Sequence, residues 1–167
     1  RYAPRSPKDA ISVGFGLVPE NRKTEGLMLD AAIYKNATLP AMQGDFWTRH
    51  AKRRADAVDI LGQLSTKYGH PDQKVIQLSG GNQQKVVLSK WLIKGAEILL
   101  LDEPSRGLDI GAKADLYRLV DDLSRKGASM IVASSELEEI YAACDRIWVF
   151  HEGCNIACFN PTNTDQD

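Results

Sequence analysis

The chain has 167 residues, of which 43% are hydrophobic and 26% charged, and a net charge of −1; this is the make-up of one globular domain with room for a core. Such a charge balance gives no ground for expecting nucleic acid or an anionic membrane surface as partner. No apolar run approaches the ~20 residues that span a bilayer and no secretory signal opens the chain, so membrane association is expected only through a partner protein.

Residues 1–9 (RYAPRSPKD) are proline-rich and charged and read as an entry loop. Their first residue, Arg1, is not methionine, and the chain is expected to be a piece of something longer. Residues 11–18 mix apolar side chains with Gly14 and Gly16 and predict a strand ending at Pro19. Glu20-Asn21-Arg22-Lys23 reads either as a solvated turn or as a source of ligands. Leu27, Met28, Leu29 and Asn36-Ala37-Thr38 follow, then Phe46-Trp47. A helical pattern then runs from about Arg49 to Leu64, with Ala55, Val58 and Leu61 on one face. Arg49, Lys52, Arg53 and Arg54 crowd its start; such a cluster is usually a solvated face, although cations opposing the helix dipole leave room for an acidic partner. Gly69-His70-Pro71-Asp72 is a turn, and His70 reads as a loop histidine.

Residues 78–109 (LSGGNQQKVVLSKWLIKGAEILLLDEPSRGLD) organise the rest. Val87, Leu88, Trp91 and Leu92 recur at helical spacing. Ser79 is a natural N-cap, and Gly80 and Gly81 let a ligand approach the backbone. A helix start of this kind, with free N–H groups and the positive dipole end, suits phosphate. Ile98-Leu99-Leu100-Leu101 predicts a strand buried on both faces, as in a parallel sheet. It delivers Asp102 and Glu103 to the carboxyl edge, where open α/β sheets place their chemistry. Mg²⁺ held with phosphates takes one or two carboxylates.

Residues 112–126 predict a helix with Leu116, Leu119, Val120 and Leu123 on one stripe, stopped by Gly127. Residues 129–133 predict a further buried strand, and Ser134-Ser135 lead to a helix through Glu136 and Ile140. Residues 146–150 and 155–159 predict a terminal hairpin around Glu152-Gly153, and residues 160–167 a frayed tail. Strand–helix alternation from 98 to 150 argues a parallel βαβ core. Cys144, Cys154 and Cys158 are too few and too late for a disulfide framework. With His151 they offer poor zinc spacing and no fourth ligand, so strand or buried thiols in a reducing compartment are the expected case.

The motifs carry a resemblance. Leu78-Ser79-Gly80-Gly81-Asn82-Gln83 resembles the signature motif of ABC ATPases, residues 98–103 their Walker B strand with its glutamate, and Gly107-Leu108-Asp109 their D-loop, in family order. The wording LSGGNQQKVVLSKWL, with PENRKTEGL upstream, resembles the second ATPase half of the fused ATP-binding subunits of simple-sugar importers, over roughly residues 5–159. The resemblance implies an α/β fold: a truncated P-loop NTPase (ABC ATPase) core with a helical signature subdomain and a C-terminal β-hairpin. It divides residues 1–159 into a helical part at about 27–95 and a core at 96–159. It also implies ATP and Mg²⁺ as cofactors, transmembrane permease subunits and a second ATPase half as partners, and a peripheral place on the cytoplasmic face of the inner membrane. The permease surface falls around residues 27–60.

Site residues follow by the same resemblance. Ser79, Gly80, Gly81 and Gln83 would serve nucleotide held by the partner half, with Asp109 of the D-loop and Glu20 at the Q-loop position also binding nucleotide. Asp102 would hold Mg²⁺ through water. Glu103 would polarise the attacking water, with Ser135 at the switch position. Two of these depart from the family pattern: Glu20 replaces a glutamine and cannot donate an amide hydrogen bond, and Ser135 replaces a histidine and offers no imidazole. Both weaken the site of this half. A hydrolysing P-loop also needs G-x-x-x-x-G-K-[ST], which these residues do not contain, so the chain alone is expected not to turn over ATP. Two other classes fit the sequence: a soluble ABC-type ATPase acting on DNA or ribosomes, disfavoured by the lack of long insertions or a basic face, and a non-catalytic assembly module, disfavoured by the intact Asp102 and Glu103.

Overall fold

A computed structural model describes residues 3–42 and 50–161. Phe46, Trp47 and Arg49, and most of the expected tail, lie outside the described residues.

The chain starts with a helix. Ser6 caps α1 (Pro7–Ser12) by accepting from Asp9 N at 3.2 Å, with Pro7 in the first turn. This replaces the expected loop and shortens the strand to β1 (Phe15–Val18). The cause is local: Ser at the cap and Pro just inside suit a helix start. Gly14, at φ 92, then turns the chain into β1.

β1, β2 (Ile98–Asp102) and β3 (Ser129–Ala133) form a parallel sheet in that order, as the strand–helix alternation implies. Leu99 and Leu101 are buried under the signature helix α4 (Gly80–Lys94) and α5 (Ile110–Arg125). The opposite face was also expected to be buried. There Leu17, Leu100 and Ile131 stand in register, with Leu17 49% and Ile131 62% exposed. Nothing among the described residues pairs with the outer edge of β3.

α2 (Ile33–Thr38) and α3 (His50–Gln63) pack against α4. The buried stripe of α3 is Ala57 and Leu61, continued by Leu64, while Ala55 and Val58 are exposed. The expected stripe shared only Leu61 because its other members were counted from the wrong turn. Near the start of α3, Arg54 bridges to Asp72 at 2.5 Å and contacts His70 Nε2 at 2.8 Å, which ties the 69–72 turn to the helix. α6 (Leu137–Ala143) leads to the hairpin β4 (Ile147–His151) and β5 (Cys154–Phe159). Cys154 and Cys158 lie exposed in β5, and Cys144 is half-buried after α6.

Lys90, 7% exposed, bolts α4 to the preceding segment by donating from Nζ to the Gly26 carbonyl. Burial lowers its ammonium pKa to about 8. The native state therefore holds fewer protons at this group than the unfolded chain between pH 8 and the ordinary lysine value. Stability contributed here rises with pH across that window. The difference in unfolding free energy between parent and Lys90→Met, followed by urea titration from pH 7 to 10, should change in that direction; a pH-independent difference would contradict it.

Candidate nucleotide site

Three structural units carry the residues singled out by the motifs. The first is the carboxyl edge of the sheet. Asp102 closes β2 with an exposed carboxylate. Glu103 sits in the left-handed region at φ 42, held there by donating N–H to the Ala133 carbonyl at 2.8 Å. That backbone turn swings its side chain toward the next strand end, where Oε1 accepts from Ser135 N at 2.7 Å. Glu103 and Ser135 are thus brought together, but through the serine main chain rather than the hydroxyl. A side chain was expected to act at the switch position, yet the contact is one any non-proline residue there can make.

The second unit is the start of α4. Ser79 occupies the N-cap position and is exposed, but its side chain makes no capping bond. Its Oγ instead accepts from Asn82 Nδ2 at 2.9 Å, and Asn82 Oδ1 accepts from Lys67 N at 2.8 Å. The first-turn N–H groups of the helix are therefore left without a side-chain cap. Packing adds a constraint at Gly81, where a Cβ would lie 2.9 Å from Ala112 Cβ on α5, while at Gly80 it would lie 2.8 Å from Arg22 Nη2, the movable end of a long side chain. Gln83, expected to face nucleotide, is turned inward at 4% exposure. It donates to the Leu78 carbonyl at 3.2 Å and the Val75 carbonyl at 3.4 Å, fixing the approach to the signature.

The third unit joins the two. Glu20, expected to bind cofactor, gives its carboxylate to the Arg106 guanidinium. Two residues on, Arg22 donates from Nη1 to the Arg106 carbonyl at 2.7 Å and from Nη2 to the Gly107 carbonyl at 3.3 Å. Burial lowers its guanidinium pKa. A π turn over Arg22–Gly26, capped by Asn21, presents it. Arg22 thus clamps the turn after Glu103 and touches Gly80. The sequence offered no signal for this beyond membership of a basic turn, because its partners lie more than eighty residues away. Asp109 likewise faces its own helix, capping α5 by accepting from Ala112 N at 2.8 Å.

No group of three or more His, Cys, Asp or Glu among the described residues is placed to hold a metal.

This fold and these motif positions define an ATP-binding cassette. The family model described as ABC transporter matches residues 6–106, and the chain belongs to that family. It is 45% identical over 157 residues to a ribose import ATP-binding protein of Bacillus subtilis, covering 92% of this chain and 32% of the relative. It is 47% identical over 153 residues to one of Streptococcus agalactiae, covering 89% and 31%. The chain thus spans about a third of the length of these relatives. Among solved structures, the ADP conformation of an ATP-binding cassette of an ABC transporter superposes with TM-score 0.79 at 19% identity, covering 93% of this chain and 64% of that one. A cassette from Clostridium perfringens, part of an ABC transporter complex, gives 0.76 at 22% identity, covering 94% and 62%. These likenesses show the ABC ATPase fold. No helix among the described residues is long and apolar enough to cross a membrane.

Proposed function

We propose that the chain is the signature- and Walker B-bearing part of a longer ATP-binding subunit that powers import of a simple sugar, ribose being the sugar in its relatives' names. It works on the cytoplasmic face of the membrane with transmembrane permease subunits and a second ATPase half. Residues 27–95 form its helical part, with the permease-facing surface around 27–60, and 96–159 its core. The observation that carries the reading is Glu103, turned out of the strand line and held by the Ser135 amide beside the exposed Asp102.

The roles divide between two nucleotides. Ser79, Gly80 and Gly81 offer a hydroxyl and uncapped helix N–H groups to phosphate held by the partner half. Asp102 and Glu103 serve nucleotide on this half, where Asp102 would hold Mg²⁺. A bound Mg²⁺ supplies charge neutralisation on the phosphates. Glu103 orients and polarises the attacking water, and positioning with charge stabilisation carries most of such phosphoryl transfer. Gln83, Glu20, Arg22 and Asp109 act by shaping the loops that carry these groups.

Since the 167 residues contain no G-x-x-x-x-G-K-[ST], the nucleotide cradle comes from a segment outside them, and the chain alone is inactive. Calorimetry with Mg²⁺-ATP tests this. Heat of binding should be absent for the chain alone and appear once a P-loop-containing partner half is added. Tight binding by the chain alone, or turnover above a Glu103→Gln control, would overturn the reading.

A further inference from the structure

Both flanks of Glu103 are fastened to a single residue, Glu139 in α6, whose side chain is 11% exposed. On one flank, Ser105, fully buried in the turn two residues after Glu103, donates from Oγ to Glu139 Oε2 at 2.6 Å. On the other flank, Ser134 donates to the same oxygen at 3.5 Å while its Oγ accepts from Glu136 N at 3.1 Å. This shapes the loop whose next amide, Ser135 N, holds the Glu103 carboxylate. Two side chains from α5 complete the arrangement. Tyr117 donates its hydroxyl to Glu139 Oε2 at 2.5 Å, and Lys113 Nζ lies 3.0 Å from Oε1.

Only an ionised carboxylate suits this place. Ser105, Tyr117 and Ser134 all donate to one oxygen, and an ammonium faces the other; an amide would turn an N–H₂ group against one of these donors. Burial pushes the Glu139 carboxyl up, but the hydrogen bonds from Ser105, Tyr117 and Lys113 outweigh it and hold it below the usual range. The same contact and its own burial push the Tyr117 phenol up, burial being the larger cause.

We propose that Glu139 is a positioning residue for Glu103, fixing at once the turn that follows it and the loop amide that orients its carboxylate. The proposal rests on the role given to Glu103 above. It places the control of that side chain in α6, on a carboxylate engaged by Ser105, Ser134, Tyr117 and Lys113, and it explains how the switch loop can orient Glu103 with a serine at its tip.

The test is a double-substitution cycle in the longer subunit assembled with its permease. Turnover is measured against ATP concentration for the parent, Glu103→Gln, Glu139→Gln and the double variant. Glu139→Gln should lower the Glu103-dependent part of kcat about tenfold with KM for ATP within about twofold. The double variant should fall no lower than Glu103→Gln alone, because the two act through one group. A double variant clearly below Glu103→Gln, a rise in KM at unchanged kcat, or no effect of Glu139→Gln would overturn the proposal while leaving the role of Glu103 intact. Turnover unchanged by Glu103→Gln would overturn that role, and this proposal with it. Should Glu139→Gln fail to fold, Tyr117→Phe removes one donor only; it should cost about threefold in kcat and show the same non-additivity, and additive loss with Glu103→Gln would be the contrary result.

Discussion

Replacing Ser79 with aspartate is expected to cut ATP turnover of the longer subunit about a hundredfold, the scale on which transition-state donors act, while leaving its melting temperature within a few degrees. Aspartate is as good as serine at a helix N-cap and suits the positive dipole end, and Asn82 Nδ2, which now donates to Ser79 Oγ, can donate to a carboxylate equally well. The fold therefore has no reason to object. A phosphate arriving at Gly80 and Gly81 does, because it meets a fixed negative charge at the one exposed side chain of the helix start. The measurement is steady-state turnover beside a thermal melt. Near-parental turnover would show that phosphate does not dock at this helix start.

A second large effect is expected for stability. Gly16 lies in β1 directly beneath Trp91 of α4, and a Cβ there would stand 2.6 Å from Trp91 Cγ and 2.8 Å from its Cβ. These atoms sit close to the tryptophan backbone, and the ring is pinned by donating Nε1–H to the Leu17 carbonyl at 2.6 Å, so the helix must lift off the sheet. Gly16→Ala should cost about 3 kcal/mol, the upper range for overpacking, or roughly 6–12 °C in melting midpoint for a domain of this size. An unchanged midpoint would mean that α4 does not seat on β1 as described. Because α4 also carries the signature, the same lift would displace Ser79 from the core.

Much of this was legible in the residues themselves. The strand at 98–102 announced itself through four consecutive aliphatics and α5 through its stripe of Leu116, Val120 and Leu123, because local periodicity is set by which face is buried. Ser79, Gly80 and Gly81 marked the start of α4 in the residues, although the contact of Gly81 with Ala112 did not show there. The start of α1 was signalled by Ser6 and Pro7 and was masked by the glycines and charges around it. What could not be read is what depends on distant partners. Arg22 reaches residues 106 and 107, and Glu139 reaches Ser105, and no local pattern marks either. The inward turn of Gln83 belongs to the same class: a polar residue in a glycine-rich motif looks like a ligand until the fold points it at the carbonyls behind it.

The left-handed backbone at Glu103 has an evolutionary corollary. Glutamate, like most residues with a Cβ, is uncomfortable at φ 42, whereas glycine, which has none, and asparagine, whose short polar side chain bonds locally, adopt that region readily. Selection for thermal resistance alone would therefore push position 103 toward those residues, and the role proposed for Glu103 is what selection for turnover would keep there against that push.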